Sequence, residues 1–291
     1  MIEITADIVR SLIPARDEEG HKGTFGTALV IAGSRYMTGA GVLATESCLR
    51  SGVGMVRYLS EEEALLPVQI NCPCALTSSL GEDIKDTVSS LKTGLAKATA
   101  CLIGPGCDAG DEKIKSALTY VLQESKAVVI DASALNIISC YKDHYLSLIA
   151  ARADKGLDPA ILTPHPGEFA RLCGTDVRCG EEGCGAFAKE HKCVLVLKGS
   201  DTVISDPNGV CYVNKGSNSG MAKGGSGDVL AGLMTGLYAQ GMAPMEAALS
   251  AVYIHSLCGK FAAEQKGVRA MLPSDLPGFV PEVMNGILKA L

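Results

Sequence analysis

Apolar runs of strand length recur along the chain, each followed by a cluster of Gly, Pro or Asp and then by a stretch with helical periodicity. That alternation predicts a mostly parallel sheet covered on both faces by helices, because a parallel strand pair needs a crossover long enough to hold a helix. The first run covers 27–32 and gives way to Gly33-Ser34, a helix over 38–51 and a second strand over 54–59. Further strands are predicted at 100–103, 127–130, 160–162 and 193–197. Ala127-Val128-Val129-Ile130 and Val194-Leu195-Val196-Leu197 lack polar alternation, the pattern of strands buried on both faces. Residues 202–205 and 210–214 flank Asp206-Pro207-Asn208-Gly209, where Pro presets φ and Asn-Gly accepts positive φ, so a small antiparallel hairpin is predicted there. The C-terminal part reads as helical. An amphipathic helix follows Gly227, with Val229, Leu230, Leu233, Met234 and Leu237 on one face, and another helix follows Pro244.

No Pro/Ser-rich or highly charged linker interrupts this pattern, so one domain over residues 1–291 is expected. With 47% hydrophobic residues the chain is too apolar for disorder. A formal net charge of −6 without a basic patch argues against a nucleic acid or an anionic membrane as partner, which leaves small molecules. No apolar run approaches the roughly 18 residues of a membrane span, and residues 1–16 mix acids with short apolar groups, unlike a signal peptide. A cytoplasmic location is therefore expected. The 12 cysteines are irregularly spaced within apolar segments, so most are expected to be buried thiols. The closest spacings, Cys72 with Cys74 and Cys179 with Cys184, lack the partners of a zinc pattern, and no protein metal site is expected.

Candidate chemistry gathers where the strands end. Open α/β sheets bind ligands beyond the carboxyl ends of their parallel strands. Here those ends carry Gly33-Ser34, Gly104-Pro105-Gly106, Asp131, Thr163-Pro164-His165-Pro166-Gly167-Glu168 and Lys198-Gly199-Ser200-Asp201-Thr202. Each cluster alone reads as a tight turn; together they predict one binding rim. The densest signal is the run of residues 214–228, ending in Gly224-Gly225-Ser226-Gly227-Asp228 and leading straight into a helix. Glycines let successive N–H groups turn toward one point, and a helix N-terminus adds positive potential, so this loop suits a phosphate. Asp228 at the helix start reads either as a cap or as a reacting acid. No Walker A sequence occurs. Gly104, Gly106 and Ala109 match a loose dinucleotide fingerprint, with Asp131 as a candidate ribose acid, which keeps an NAD-dependent dehydrogenase as an alternative.

Nearly the whole chain resembles the ADP- or ATP-dependent NAD(P)H-hydrate dehydratases of the ribokinase-like superfamily. The resemblance is carried by His21-Lys22-Gly23-Thr24-Phe25-Gly26, Met37-Thr38-Gly39-Ala40-Gly41, Gly104-Pro105-Gly106, the 162–168 turn, Lys198-Gly199 and the 218–232 block. It implies a ribokinase-like three-layer α/β sandwich. It also implies repair of NADHX and NADPHX, coenzymes whose nicotinamide ring has gained water. In that chemistry a nucleotide phosphorylates the ring hydroxyl of the S-form, and loss of phosphate restores the double bond. By resemblance, Ala40, Gly104, Gly106, His165 and Asp228 face the hydrated coenzyme. Lys198, Gly199, Ser200, Asp201, Thr202 and Gly227 hold ADP or ATP. The Gly225, Ser226 and Gly227 amides stabilise the transferring phosphoryl group while Asp228 accepts the hydroxyl proton.

Mg2+ is expected with the nucleotide, held more by phosphates and waters than by side chains. The family forms homo-oligomers, so a homotetramer is expected. Many relatives carry an N-terminal epimerase domain; this chain starts too close to the dehydratase motifs for one, so a separate NAD(P)HX epimerase is the expected functional partner. The family often shows Asp-Ala-Asp-Ala-Leu-Asn where this chain has Asp131-Ala132-Ser133-Ala134-Leu135-Asn136, so a role for that second acid is absent here. A small-molecule alcohol kinase, of the hydroxyethylthiazole or pyridoxal type, shares the Gly-Gly-x-Gly-Asp logic and remains an alternative, as does a regulatory nucleotide-binding protein.

Overall fold

The computed structural model describes residues 1–174 and 181–289; Cys179 lies outside them. Ten strands form one sheet: β1 (Ile2–Glu3), β2 (Thr27–Ile31), β3 (Met55–Ser60), β4 (Leu76–Ser79), β5 (Ala100–Ile103), β6 (Val128–Ile130), β7 (Ile161–Leu162), β8 (Val194–Leu197), β9 (Asp201–Ser205) and β10 (Cys211–Lys215). Their order is β1-β10-β9-β8-β7-β6-β5-β2-β3-β4. Pairing is parallel except at β8–β9 and β9–β10. The predicted hairpin is therefore present. Asp206 builds its turn by accepting the Asn208 and Val210 N–H groups on Oδ1 at 2.9 and 2.8 Å.

The helices are α1 (Ala6–Leu12), α2 (Thr38–Arg50), α3 (Leu65–Asn71), α4 (Ile84–Leu95), α5 (Glu112–Glu124), α6 (Ser133–Cys140) and α7 (Lys142–Ala150), then α8 (Pro166–Cys173), α9 (Glu181–Glu190), α10 (Ser226–Ala239), α11 (Pro244–Lys266) and α12 (Leu276–Lys289). Two apolar clusters form, one on each face of the sheet. One joins Ala28, Val30, Val56 and Val129 to α2, α10, α11 and α12. The other joins Leu29, Ile31, Leu59 and Ile130 to α5, α6, α7 and α8. Consecutive strand residues thus alternate between two buried layers, which is why these strands read as unbroken apolar runs.

Three features depart from the sequence reading. The pairing strands β1 and β4 escape it, because β1 is two residues long and β4 is an edge strand with only partial burial. The helical C-terminal part starts only at α10, after the predicted strand β10 and an extended loop. Helix α10 is not amphipathic: every residue from Val229 to Ala239 is buried. It lies between α2, α11 and the sheet, and a Cβ at Gly232 would overlap the Ala44 carbonyl oxygen of α2. A helix packed on all sides needs no polar face.

Most cysteines are buried as expected, and burial pushes the Cys72, Cys107, Cys193 and Cys258 thiols up to about 12. Cys74 and Cys140 are exposed. Among the described residues no group of three or more His, Cys, Asp or Glu could hold a metal ion, and no helix is long and apolar enough to cross a membrane.

Candidate functional site

Strands β8, β7, β6, β5 and β2 are contiguous neighbours and mutually parallel, so their carboxyl ends stand in a row. The five polar clusters predicted to share a rim do share one. At its centre is Asp131, directly after β6 and only 1% exposed. Its Oδ1 accepts from Lys198 Nζ, at the end of β8, and from Thr163 Oγ1, at the end of β7, each at 2.7 Å. Three adjacent strand ends are tied through one carboxylate oxygen.

The backbone supports this arrangement. Ala132 sits at φ 50° and ψ −117°, a positive-φ conformation outside the left-handed helical region that costs a residue with a Cβ of order 1 kcal/mol or more. Gly104 has φ 124°, and a Cβ there would overlap the Asp131 carbonyl oxygen. Ser133 donates its hydroxyl to the Cys107 carbonyl at 2.6 Å. It ties the β6 turn to the loop after β5, a bond an ionised carboxylate could not make.

The glycine loop enters from the other side. Lys223 is spent inside it, donating to the Arg269 and Met271 carbonyls, and Asn218 donates to the Gly259 carbonyl at 2.8 Å. These bonds fix the loop to α11 and the segment after it. Gly225 then caps α10 at φ 107°, where a Cβ would crowd Leu43. A Cβ on Gly227 would lie 3.2 Å from Lys198 Nζ and 3.8 Å from Asp131 Oδ2, so the first turn of α10 faces the Asp131–Lys198 pair. Because the opening amides of a helix have no partner within it, this turn presents N–H groups toward the pair.

Asp228 is third in that turn. It accepts no hydrogen bond and makes no salt bridge among the described residues. Burial, then the neighbouring Asp131 charge, push its carboxyl up to about 7, with Lys198 opposing. Burial works against the Lys198 ammonium, but Asp131 outweighs it and holds the lysine above the usual range, with smaller contributions from Glu168 and Asp228. Lys198 is thus charged and Asp228 is poised between its two protonation states near neutral pH.

His255 on α11 lies behind the loop. Burial lowers it to about 4, against a hydrogen bond to the Ser226 backbone, so the imidazole is neutral. Its Nε2 and the Ser226 hydroxyl are both buried without partners.

The remaining predicted residues distribute around this centre. Ala40, at the start of α2, meets the 104–106 loop: a Cβ on Gly106 would lie 2.6 Å from the Ala40 methyl group. Gly199 and Ser200 are exposed in the β8–β9 turn, and Asp201 and Thr202 pair with Lys215 and Asn214, where the glycine loop begins. His165 is largely occupied by its own turn. Its Nδ1 accepts the Gly167 and Glu168 N–H groups at 3.0 and 3.3 Å, while Glu168 Oε2 accepts the His165 N–H at 2.8 Å. That reciprocal capping box starts α8, and the other imidazole nitrogen, Nε2, lies 3.6 Å from Glu168 Oε1 on a half-exposed ring that a ligand can still reach. The sequence reading places Asp131 on the rim and as a ribose acid but misses it as the hub, and misses Thr163 and His255 as individual groups. Asp131 had a signal in its strand-end position; His255, one histidine in an apolar helix, had none.

A family model described as NAD(P)H-hydrate dehydratase matches residues 28–282. The chain is 35% identical over 284 residues to the ADP-dependent (S)-NAD(P)H-hydrate dehydratase of Bacillus subtilis, covering 96% of each. It is 36% identical over 293 residues to the Bifunctional NAD(P)H-hydrate repair enzyme Nnr of Moorella thermoacetica, covering 98% of this chain but 54% of that protein. The chain thus spans about half the length of that bifunctional relative. A crystal structure of the ADP/ATP-dependent NAD(P)H-hydrate dehydratase from Bacillus subtilis, co-crystallised with ATP/Mg2+, superimposes with a TM-score of 0.83 at 32% identity, covering 98% of both chains.

Proposed function

Since this chain belongs to the NAD(P)H-hydrate dehydratase family, with the ribokinase-like α/β fold, we propose that it uses ADP or ATP to dehydrate the S-form of NADHX or NADPHX and regenerate the reduced coenzyme. The observation that carries this reading is an unpartnered carboxylate with a proton affinity near neutrality, set in the first turn of a helix among three glycines and beside the partly buried Lys198.

The chemistry follows from that arrangement. Asp228 accepts the proton of the ring hydroxyl as its oxygen attacks the terminal phosphoryl group; the nucleotide leaves as AMP or ADP. A general base works best with a pKa near the working pH, which burial and Asp131 supply here. The amides of Gly225 and Gly227 face the negative charge that spreads over the phosphoryl oxygens, whereas the Ser226 N–H, expected to join them, is donated to the Lys223 carbonyl at 3.3 Å. Loss of phosphate from the ring carbon and of a proton from its neighbour then restores the double bond. The sum is one hydrated coenzyme and one nucleotide consumed, with reduced coenzyme, shortened nucleotide and inorganic phosphate formed. Lys198 stays charged, neutralises Asp131 and adds positive potential at the transfer point. His255 stays neutral and holds the Ser226 backbone. Ala40, Gly104, Gly106 and His165 Nε2 form the coenzyme side, and Lys198, Gly199, Ser200, Asp201, Thr202 and Gly227 the nucleotide side.

Asp131 and Asp228 lie at this centre, and no metal-holding group of three or more His, Cys, Asp or Glu occurs among the described residues, which suits an ion bound chiefly by phosphate oxygens and water rather than by a protein cage. Mg2+ bound there would neutralise nucleotide charge. The same reading assigns one catalytic domain over 1–291, a homotetrameric, cytoplasmic enzyme, and an epimerase activity that supplies the S-form. The test is to incubate the chain with NADHX and either ADP or ATP plus Mg2+, following reduced-coenzyme absorbance and phosphate release together. Both should rise in equal amounts; accumulation of a stable phosphorylated product without phosphate would indicate an alcohol kinase instead.

A further inference from the structure

Strand β3 places a charge where its neighbours place aliphatic groups. Arg57 pairs with Leu29 on β2 and Leu76 on β4, and shares its face with Leu59. Leu29 and Leu59 belong to the apolar layer on the face opposite α10. Helix α4 covers this stretch, and Gly94 packs against Leu29. Between helix and sheet lies a cavity of about 180 Å³, lined by Arg57, Ser78, Ser89, Ser90 and Thr93 over a floor that includes Leu29.

Two observations give the cavity a charge preference. The Nε of Arg57 is buried without a hydrogen-bond partner, and Arg57 makes no ion pair among the described residues. No Asp or Glu lines the space among the described residues. A partly buried guanidinium without a counter-charge is costly, and such groups are ordinarily paired. Its planar fork of donors matches the spacing of oxygens on a phosphate or sulfate, and serine hydroxyls on two other sides can donate as well. The volume is below that of pockets for drug-sized ligands, which restricts the occupant to a small anion with a few waters. Ser89 and Thr93 are exposed, so a solute reaches the cavity from solvent.

We infer that this cavity binds a small tetrahedral oxyanion of the inorganic phosphate class, at a site separate from the rim. The occupant neutralises Arg57 and bridges α4 to the outer strands β3 and β4. This inference does not depend on the reaction proposed above.

The experiment is calorimetric titration of inorganic phosphate into the full chain, at constant ionic strength and with ADP saturating the rim. Wild type should bind one phosphate. Arg57→Met should weaken that binding about 10–100-fold, the effect of losing a charged hydrogen bond. Without phosphate, Arg57→Met should melt at or above the wild-type temperature, since an uncompensated charge has been replaced by an apolar chain of similar reach. Ser90→Ala, a change that favours helix α4, should weaken phosphate about 2–10-fold and serves if Arg57→Met does not fold. Absence of phosphate binding to wild type, or unchanged affinity in these variants, would overturn the assignment.

Discussion

Two turns on the same rim each place a carboxylate third in the first turn of a helix, yet they use it differently. In the 165–168 turn, His165 and Glu168 satisfy each other and the local backbone through a complete capping box. At the start of α10, Asp228 has the same position in its helix as Glu168 has in α8, third in the first turn, but caps nothing. The residue that would receive its cap is Gly225, held at positive φ. Glu168 is spent on structure; Asp228 is kept available, and burial beside Asp131 raises its proton affinity. Acid identity and helix position therefore do not distinguish a structural carboxylate from a reacting one. What distinguishes them is whether the preceding backbone gives the acid a bond to make.

The sharpest way to break this contrast is at Asp228. Asp228→Asn keeps shape and removes the proton acceptor, so kcat should fall by about 10²–10⁴-fold with nucleotide affinity nearly unchanged, checked by steady-state kinetics and calorimetry. The same variant should be more stable than wild type at alkaline pH. A carboxyl raised from 3.8 to about 7 by folding makes the folded state bind the extra proton, so wild type loses stability as pH rises through that window. The gain for Asp228→Asn should be roughly 1–3 kcal/mol at pH 8 and vanish near pH 4, measured by chemical denaturation.

Lys198→Ala comes next. It leaves Asp131 buried without its cation, and breaking such a pair costs about 3–5 kcal/mol. Because Lys198 opposes the rise in Asp228, its removal should also move the acid limb of the pH–rate profile upward. It should weaken ADP or ATP more than the hydrated coenzyme. Denaturation together with the pH profile separates the structural effect from the electrostatic one.

A smaller change is expected in the self-satisfied turn. His165→Ala should cost about 0.5–2 kcal/mol of stability, the value of a lost cap. KM for NADHX should rise through loss of Nε2 while kcat holds; a fall in kcat as large as that of Asp228→Asn would erase the contrast between the turns. The smallest effect belongs to Ser133→Ala, which removes the bond to Cys107 and should cost about 0.5–1.5 kcal/mol without changing the acid limb, as thermal melts and rates would report.

Much of this was legible in the residues. Strands buried on both faces announce themselves by unbroken apolar runs, so β5 falls at 100–103 as read and β8 within a residue of its predicted start. The rim followed from the polar residues after each run, and the glycine loop from its density of small residues. The rest depends on contacts between distant segments. Asp131 becomes a hub only because β6, β7 and β8 are neighbours, bringing residues 131, 163 and 198 together. The burial of α10 on every side depends on α2 and α11, which an apolar stripe in one helix cannot report. Arg57 stands within the predicted 54–59 strand, and no neighbour along the chain reports the cover that α4 gives it.

The account turns on Asp228 as a proton acceptor of near-neutral affinity. The most direct test is the pH dependence of kcat/KM for NADHX dehydration, with ADP and Mg2+ saturating, in wild type and in Asp228→Asn at matched folded fraction. Wild type should show activity rising with pH to a plateau, with an acid limb at about 7, and the variant's residual rate should lack that limb. A variant that turns over within about tenfold of wild type and keeps the same acid limb would contradict it.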